Sequence, residues 1–154
     1  MKKNPKALKL TPHLIVAGAS AAIDFYVQAF GAKEVSRFAD PNLGGRIVHA
    51  ELAIGDLVLT LAEEARDWNN SAPGSLGGSP VVLTLEVDDV DAAGARMMRA
   101  GAKIVFPIAD QFYGKREGRL LDPFGHLWVL SQQREQLSHE EIQRRVDTFS
   151  SHGA

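Results

Sequence analysis

The stretches "FGAKEV" (Phe30–Val35) and "AGAKIV" (Ala100–Val105) stand seventy residues apart, and each closes a run with helical character. At the same offset His13–Val35 aligns without a gap on Leu83–Val105, and Gly55-Asp56-Leu57-Val58-Leu59 falls on Gly125-His126-Leu127-Trp128-Val129. Two separated stretches served by one offset point to a tandem duplication rather than to chance recurrence in a chain rich in alanine and glycine.

Each unit reads β-α-β-β-β, which makes the fold class α+β. In the first, about residues 10–65, "HLIV" is a short apolar strand and Ala19 to Phe30 is a helix with Ile23, Val27 and Phe30 on one stripe. Gly31 then sits where helices commonly end in a left-handed residue. Three strands follow, "AKEVSRF", "RIVHAELAI" and "LVLTLAE", with Gly55-Asp56 as the hairpin signal. The second unit, about 81–131, repeats this as "PVVLTLEV", a helix capped at Asp88/Asp89 and carrying Val90, Ala93, Met97 and Ala100, then "AKIVFPI", "GRLLD" and "HLWVLS". The intervening residues 66–80, "RDWNNSAPGSLGGSP", have linker composition. Beyond Ser131, Ser138 and Glu141 form a capping box, and Ile142, Val146 and Phe149 share a stripe. A C-terminal helix over about 138–150 is expected, docked on the body or on a second subunit.

With 154 residues, 45% hydrophobic and 23% charged, the chain can bury a sizeable core without staples. A net charge of −2 gives no basic footprint for nucleic acid and no polybasic patch for a membrane. The lack of cysteine removes disulfides, thiolate ligands and thiol nucleophiles together. The basic start "MKKNPKALKL" lacks the apolar run of a signal peptide, and a cytoplasmic location is the expectation.

Two such units, with "AAIDFYVQAFGAKEV" in the first helix and "LLDPFGHLWVL" closing the second unit, resemble the vicinal oxygen chelate superfamily of glyoxalase I, extradiol dioxygenases and bleomycin-resistance proteins. The segments "TPHLIV", "HAELAIGD", "LGGSP", "DQFYG" and "DPFGH" resemble its PhnB-like branch. The resemblance implies curled mixed sheets enclosing a cavity, and a homodimer. It also implies that metal-dependent relatives hold one divalent cation, such as Zn, Ni, Fe or Mn, through four inward side chains from the first and last strands of each unit. Counted from the helix motifs, those positions fall on Thr11, Val82 (Val81 by strict offset), Leu59 and Val129. Apolar side chains cannot coordinate a cation, so no cofactor is expected. His13 stays open as an alternative first-strand ligand, and a cation shared by His13, His49 and Glu51 is the remaining metal reading.

Alternation in "RIVHAELAI" places Val48, Ala50, Leu52 and Ile54 under the helix and turns His49 and Glu51 toward the cavity. The same reasoning turns Thr11, His13, Ile15, Arg119 and Leu121 inward, while the competing reading has Glu51 and Arg119 neutralising one another. The loop "ADQFYGKREG" (Ala109–Gly118) offers Gln111, Phe112 and Tyr113 at the cavity mouth, where the rings can stack on a planar ligand or simply pack on the rim. "DPFG" is turn chemistry, which leaves His126 at the hairpin exit, and Trp128 is assigned to the core.

Two functions follow as expectations. The first is a metal-independent small-molecule binder whose ligand site comprises Thr11, His13, His49, Glu51, Gln111, Phe112, Tyr113 and Arg119. The second is a lyase, isomerase or transferase of the glyoxalase type, using an unusual metal or Glu51 as general base with His13 polarising the substrate.

Overall fold

The computed structural model describes residues 7–151, so the first six residues of the basic N-terminal stretch lie outside the described part. The elements run β1 (His13–Val16), α1 (Ala19–Phe30), β2 (Lys33–Asp40), β3 (Arg46–Ile54), β4 (Leu57–Glu63), α2 (Pro73–Leu76), β5 (Val82–Glu86), α3 (Val90–Arg99), β6 (Lys103–Asp110), β7 (Lys115–Leu121), β8 (Leu127–Gln133) and α4 (His139–Ser151). They build two four-stranded mixed sheets, ordered β1-β4-β3-β2 and β5-β8-β7-β6. In each, the first strand runs parallel to the last and the other pairs are antiparallel. The α+β duplication expected from the sequence is the architecture of the chain.

The helix that crosses each sheet is capped from the last strand of its own unit. The amides of Gly18 and Ala19 donate to the Glu63 carboxylate at 2.9 and 2.6 Å, satisfying donors that α1 leaves orphaned. Asp89 accepts from the Ala92 amide at 3.0 Å to start α3, and Gln132 accepts from the Val90 amide at 3.1 Å. At the far end of α1, Gly31 takes φ 65°, and its N–H returns to the Val27 carbonyl.

The buried face of α1 differs from the expected stripe. Ala19, Ala22, Ile23, Phe25, Tyr26 and Ala29 are buried, whereas Val27 is exposed. The cause is that α1 is covered twice, by its own sheet and by the second unit, where it packs against α3. Phe25 and Tyr26 meet Phe124 at ring distances of 6.0 and 6.4 Å, and Tyr26 meets Trp128 at 5.8 Å. At the centre of that contact the Asp122 carboxylate, 2% exposed, accepts from the Tyr26 hydroxyl at 2.5 Å and the Trp128 indole N–H at 2.9 Å. Its other oxygen accepts from the amides of Phe124 and His126, both at 2.9 Å. Burial first, then the adjacent carboxylate, push the Tyr26 hydroxyl well above its ordinary pKa, so it remains a donor. Asp122 therefore shapes its own turn and holds α1 of the other unit.

The opening stretches end at a shared irregularity. Glu34 pairs with Leu52 and Ser36 with Glu51, which leaves Val35 as an extra residue. Ile104 pairs with Leu120 and Phe106 with Arg119, which leaves Val105 as its counterpart. Both are β-bulges, and each shifts by one the alternation of the residues that follow. A second bulge falls on different strands. In the first unit Phe38 pairs with His49 and Ala39 with Ile47, so Val48 is the extra residue of β3. Ile47 consequently joins Ala50 and Leu52 in the core, in place of the expected Val48. In the second unit the extra residue lies on β6, between Phe106 and Ala109, where Pro107 removes an amide donor from an edge strand.

Two further expectations are adjusted, and a third, the C-terminal helix, stands. The segment 66–80 contains a short turn at Arg66–Trp68 and the one-turn α2 rather than linker alone, and Trp68 is exposed. Only residues 111–114 of the expected Ala109–Gly118 loop are loop, since β6 reaches Asp110 and β7 begins at Lys115. The C-terminal helix α4 starts where the capping box places it, with Ser138 Oγ accepting from the Glu141 amide at 3.1 Å. It docks on the body: Arg145 donates to the Phe112 carbonyl at 2.9 Å, and Phe149 stacks on Phe112 at 5.0 Å.

Candidate functional site

One face of each sheet is covered by its helix and the other is open. The covered face of the first sheet carries Leu14, Ala50, Leu52, Leu59 and Leu61, all buried. Its open face carries a cross-strand row in which His13 pairs with Thr60, Thr60 with Glu51 and Glu51 with Ser36. In the second sheet the corresponding row joins Thr84, Val129, Arg119 and Phe106. The two rows match because each borders the equivalent covered row, Leu14–Leu61–Ala50 in one sheet and Leu85–Leu130–Gly118 in the other.

This register corrects the positions counted at a constant offset. Ile54 pairs with Leu57 across a two-residue turn, but Leu121 pairs with Leu127 across the five residues 122–126. The repeat therefore slips past the hairpin, and Leu59 faces the helix opposite Leu52, 3% exposed. The open-face position of β4 is Thr60. Thr11 precedes β1, outside its ladder, and His13 is the open-face residue of that strand, as the alternative reading had it. Val82 shares its face with Thr84 but pairs with Leu127, one step off the row.

At the four places where the resemblance implies ligands, the side chains are thus His13, Thr60, Thr84 and Val129. One imidazole, two hydroxyls and an isopropyl group do not fit a divalent cation, which in such sites is held by imidazole and carboxylate. Among the described residues no group of three or more His, Cys, Asp or Glu is placed to hold a metal ion. His13, His49 and Glu51 share the open face, yet the imidazoles are stacked, 5.8 Å apart and 16° from parallel, rather than converging on a point.

The imidazole of His13 is oriented by its neighbours. The Thr60 hydroxyl donates to the Pro12 carbonyl at 3.2 Å, so it accepts from His13 Nδ1 at 2.7 Å. That hydrogen bond fixes the neutral tautomer and leaves Nε2 as a free acceptor on the open face. Burial, and secondly the neighbouring His49, lower the His13 pKa, so the ring is neutral near pH 7. Phe38 extends the stack, its ring 6.4 Å from His49 and 27° from parallel. His13, His49 and Phe38 form a continuous ring stack, beside which Glu51 has no hydrogen-bond or ion-pair partner among the described residues. Next to His13, an apolar cavity of about 320 Å³ opens between the units, walled by Leu76, Pro80, Val81, Leu83 and Leu127.

The second open face holds a separate cavity of about 410 Å³, lined by Phe106, Gln111, Tyr113, Glu117, Arg119 and Val129 among others. Gln111 donates to the carbonyls of Ala109 and Glu117 at 3.3 and 3.4 Å, and the Tyr113 hydroxyl donates to the Glu117 carboxylate. Burial, followed by Glu117, raises the Tyr113 pKa to about 12. Phe112 does not line this cavity, because its ring is taken up by α4. Glu51 and Arg119 form no ion pair with one another, so the neutralising contact weighed for them is not made within the chain.

Some residues that hold this arrangement escaped the sequence reading. Thr60 was the lone hydroxyl in an apolar strand, a visible signal once strand parity is correct. The sequence places Asp122 in a turn and His126 at its exit, which is their local conformation. That the Asp122 carboxylate is buried against Tyr26, and that His126 Nε2 lies 2.9 Å from the Ile15 carbonyl, are contacts between units for which a local motif carries no signal.

Comparison with known proteins agrees with this architecture. The profile of the Glyoxalase/Bleomycin resistance protein/Dioxygenase superfamily matches residues 10–130. The chain belongs to that superfamily. An uncharacterized protein of Mycobacterium bovis is 42% identical over 142 residues, 90% of this chain and 92% of the relative. A crystal structure of a Pseudomonas aeruginosa protein superposes with TM-score 0.68 at 22% identity, over 84% of this chain and 100% of the other. A PhnB protein from Bacillus cereus superposes with TM-score 0.64 at 19% identity, over 81% and 99% of the two chains.

Proposed function

We propose that the protein is a metal-independent small-molecule binder of the PhnB-like kind, which takes a planar or aromatic compound on its open sheet faces and completes its site as a homodimer. The observation that carries this reading is the ring stack of His13, His49 and Phe38 beside the unpartnered Glu51, of which His13 stands at one of the four places where a metal-dependent relative would supply a ligand. A stack of rings can be extended by one more planar ring, and a binding site combines such apolar area with a few unsatisfied polar groups. Exposed Phe38 and Phe106, on the edge strands of both sheets, are apolar area that a second subunit would cover. Among the described residues no helix is long and apolar enough to cross a membrane; the cytoplasmic location is part of the proposal.

A second reading, an enzyme, is favoured by one feature: Glu51 and His13 Nε2 flank Thr60 on either side with no partner of their own. Two strand spacings, about 10 Å, separate their backbones, enough to bracket a substrate from which Glu51 would take a proton at a carbon next to a carbonyl. Thermal-shift screening against planar aromatic compounds, with Glu51→Gln and His13→Ala in parallel, tests both. The binder predicts ligand shifts that shrink in each variant, together with substoichiometric metal by elemental analysis. Stoichiometric metal, or shifts indifferent to both substitutions, would refute the assignment.

A further inference from the structure

Two arginines of β7 are treated differently by the fold. Arg116 is held by Asp91 at 2.9 Å and Asp110 at 3.3 Å, an exposed network with its charge compensated. Arg119 has no ion pair or hydrogen bond among the described residues, and its Nε is buried without a partner. Leaving a buried N–H of a charged group unsatisfied costs on the order of a hydrogen bond or more, and a native fold rarely keeps one unless something else supplies the acceptor. The guanidinium is not loose, since it lies over the Phe106 ring, 5.4 Å from the centroid, which fixes its plane. It faces the cavity of about 410 Å³ whose other walls are Val129, Gln111 and Tyr113. The one carboxylate there, Glu117, is engaged by the Tyr113 hydroxyl rather than by Arg119.

We propose that Arg119 is the anchor of an anion subsite, and that the ligand of this face is a planar aromatic compound bearing a carboxylate. The carboxylate would meet the two terminal guanidinium nitrogens, where two parallel hydrogen bonds can form, while the ring lies against Val129. The cavity volume suits one such molecule. This rests on the reading of the open faces as the ligand site, and it adds the charge the ligand must carry.

The test uses the full-length protein and two probes of equal shape, benzoate and its neutral counterpart benzamide. Arginine side-chain Nε–Hε resonances are followed by NMR during titration, with Arg119 assigned from Arg119→Met. Benzoate is expected to shift the Arg119 signal and to bind at least 10-fold more tightly than benzamide; Arg119→Met abolishes that preference, and Arg119→Lys retains part of it. Equal binding of both probes, lost in Glu51→Gln but not in Arg119→Met, would overturn the anion subsite and leave the open-face reading standing. No binding of either probe, with the Arg119 signal responding to Glu51→Gln alone, would assign the guanidinium to a contact between copies of the chain and overturn the proposal.

Discussion

The two sheets share a backbone plan and differ in what they present on their open faces. The first presents imidazole, hydroxyl, carboxylate and hydroxyl along His13, Thr60, Glu51 and Ser36. The second presents hydroxyl, isopropyl, guanidinium and phenyl along Thr84, Val129, Arg119 and Phe106. On the covered faces the two remain apolar, and the bulge at Val35 recurs at Val105. Duplication has thus kept the side that folds the chain and let the other side diverge, one half acidic and imidazole-bearing, the other cationic.

Substitutions at matched positions can break that comparison. The largest effect is expected at the contact between halves: Asp122→Ala strands the buried Tyr26 hydroxyl and Trp128 N–H, at about 1–3 kcal/mol for each lost acceptor, so urea unfolding should show a loss of about 3–5 kcal/mol. Next comes the covered row, where Ala50 and Gly118 are equivalents. A Cβ on Gly118 would lie 2.8 Å from the Ile108 amide nitrogen, because the second bulge of β6 folds Ile108 down upon it. Gly118→Ala should therefore cost about 1–3 kcal/mol by overpacking, although alanine is native at the matched site. Of the open-face substitutions, Glu51→Gln should be nearly silent for folding, within about 0.5 kcal/mol of the parent by the same measurement, whereas Arg119→Met removes a buried N–H that has no acceptor and should leave the protein at least as stable as the parent.

The smallest effect concerns protons. Burial and His49 hold the His13 pKa below its ordinary 6.5, so as pH falls through 6.5 the unfolded chain takes up a proton that the folded chain binds less readily. Stability is present above that point and declines below it. Melting temperatures between roughly pH 7.5 and 5.5 should fall slightly less in His13→Gln than in the parent. An unchanged slope would show that His13 is no less solvated than a free imidazole.

Most of the fold was legible in the sequence, because Gly31, the Asp89 cap, the Ser138 and Glu141 pair and the seventy-residue recurrence are local signals of local geometry. The open face was legible only in part. His49, Glu51 and Arg119 follow from simple alternation, whereas Leu59 and Val48 were misplaced, because a longer hairpin in one half and a bulge in the other each shift parity by one residue. Such shifts are set by strand pairing, which a single strand does not record. Phe112 was drawn away by a helix whose docking depends on Arg145, thirty-three residues downstream.

The clasp between Tyr26 and Asp122 has no mirror image among the described residues, since the short Gly55-Asp56 turn offers nothing comparable to the second helix. Severing the gene in the linker would therefore yield unequal fragments: the leading piece would be left with an unanswered phenol in its interior, whereas the trailing piece would keep three of the four donors to its carboxylate. Mixed together, the pair should recover a fold that neither attains alone.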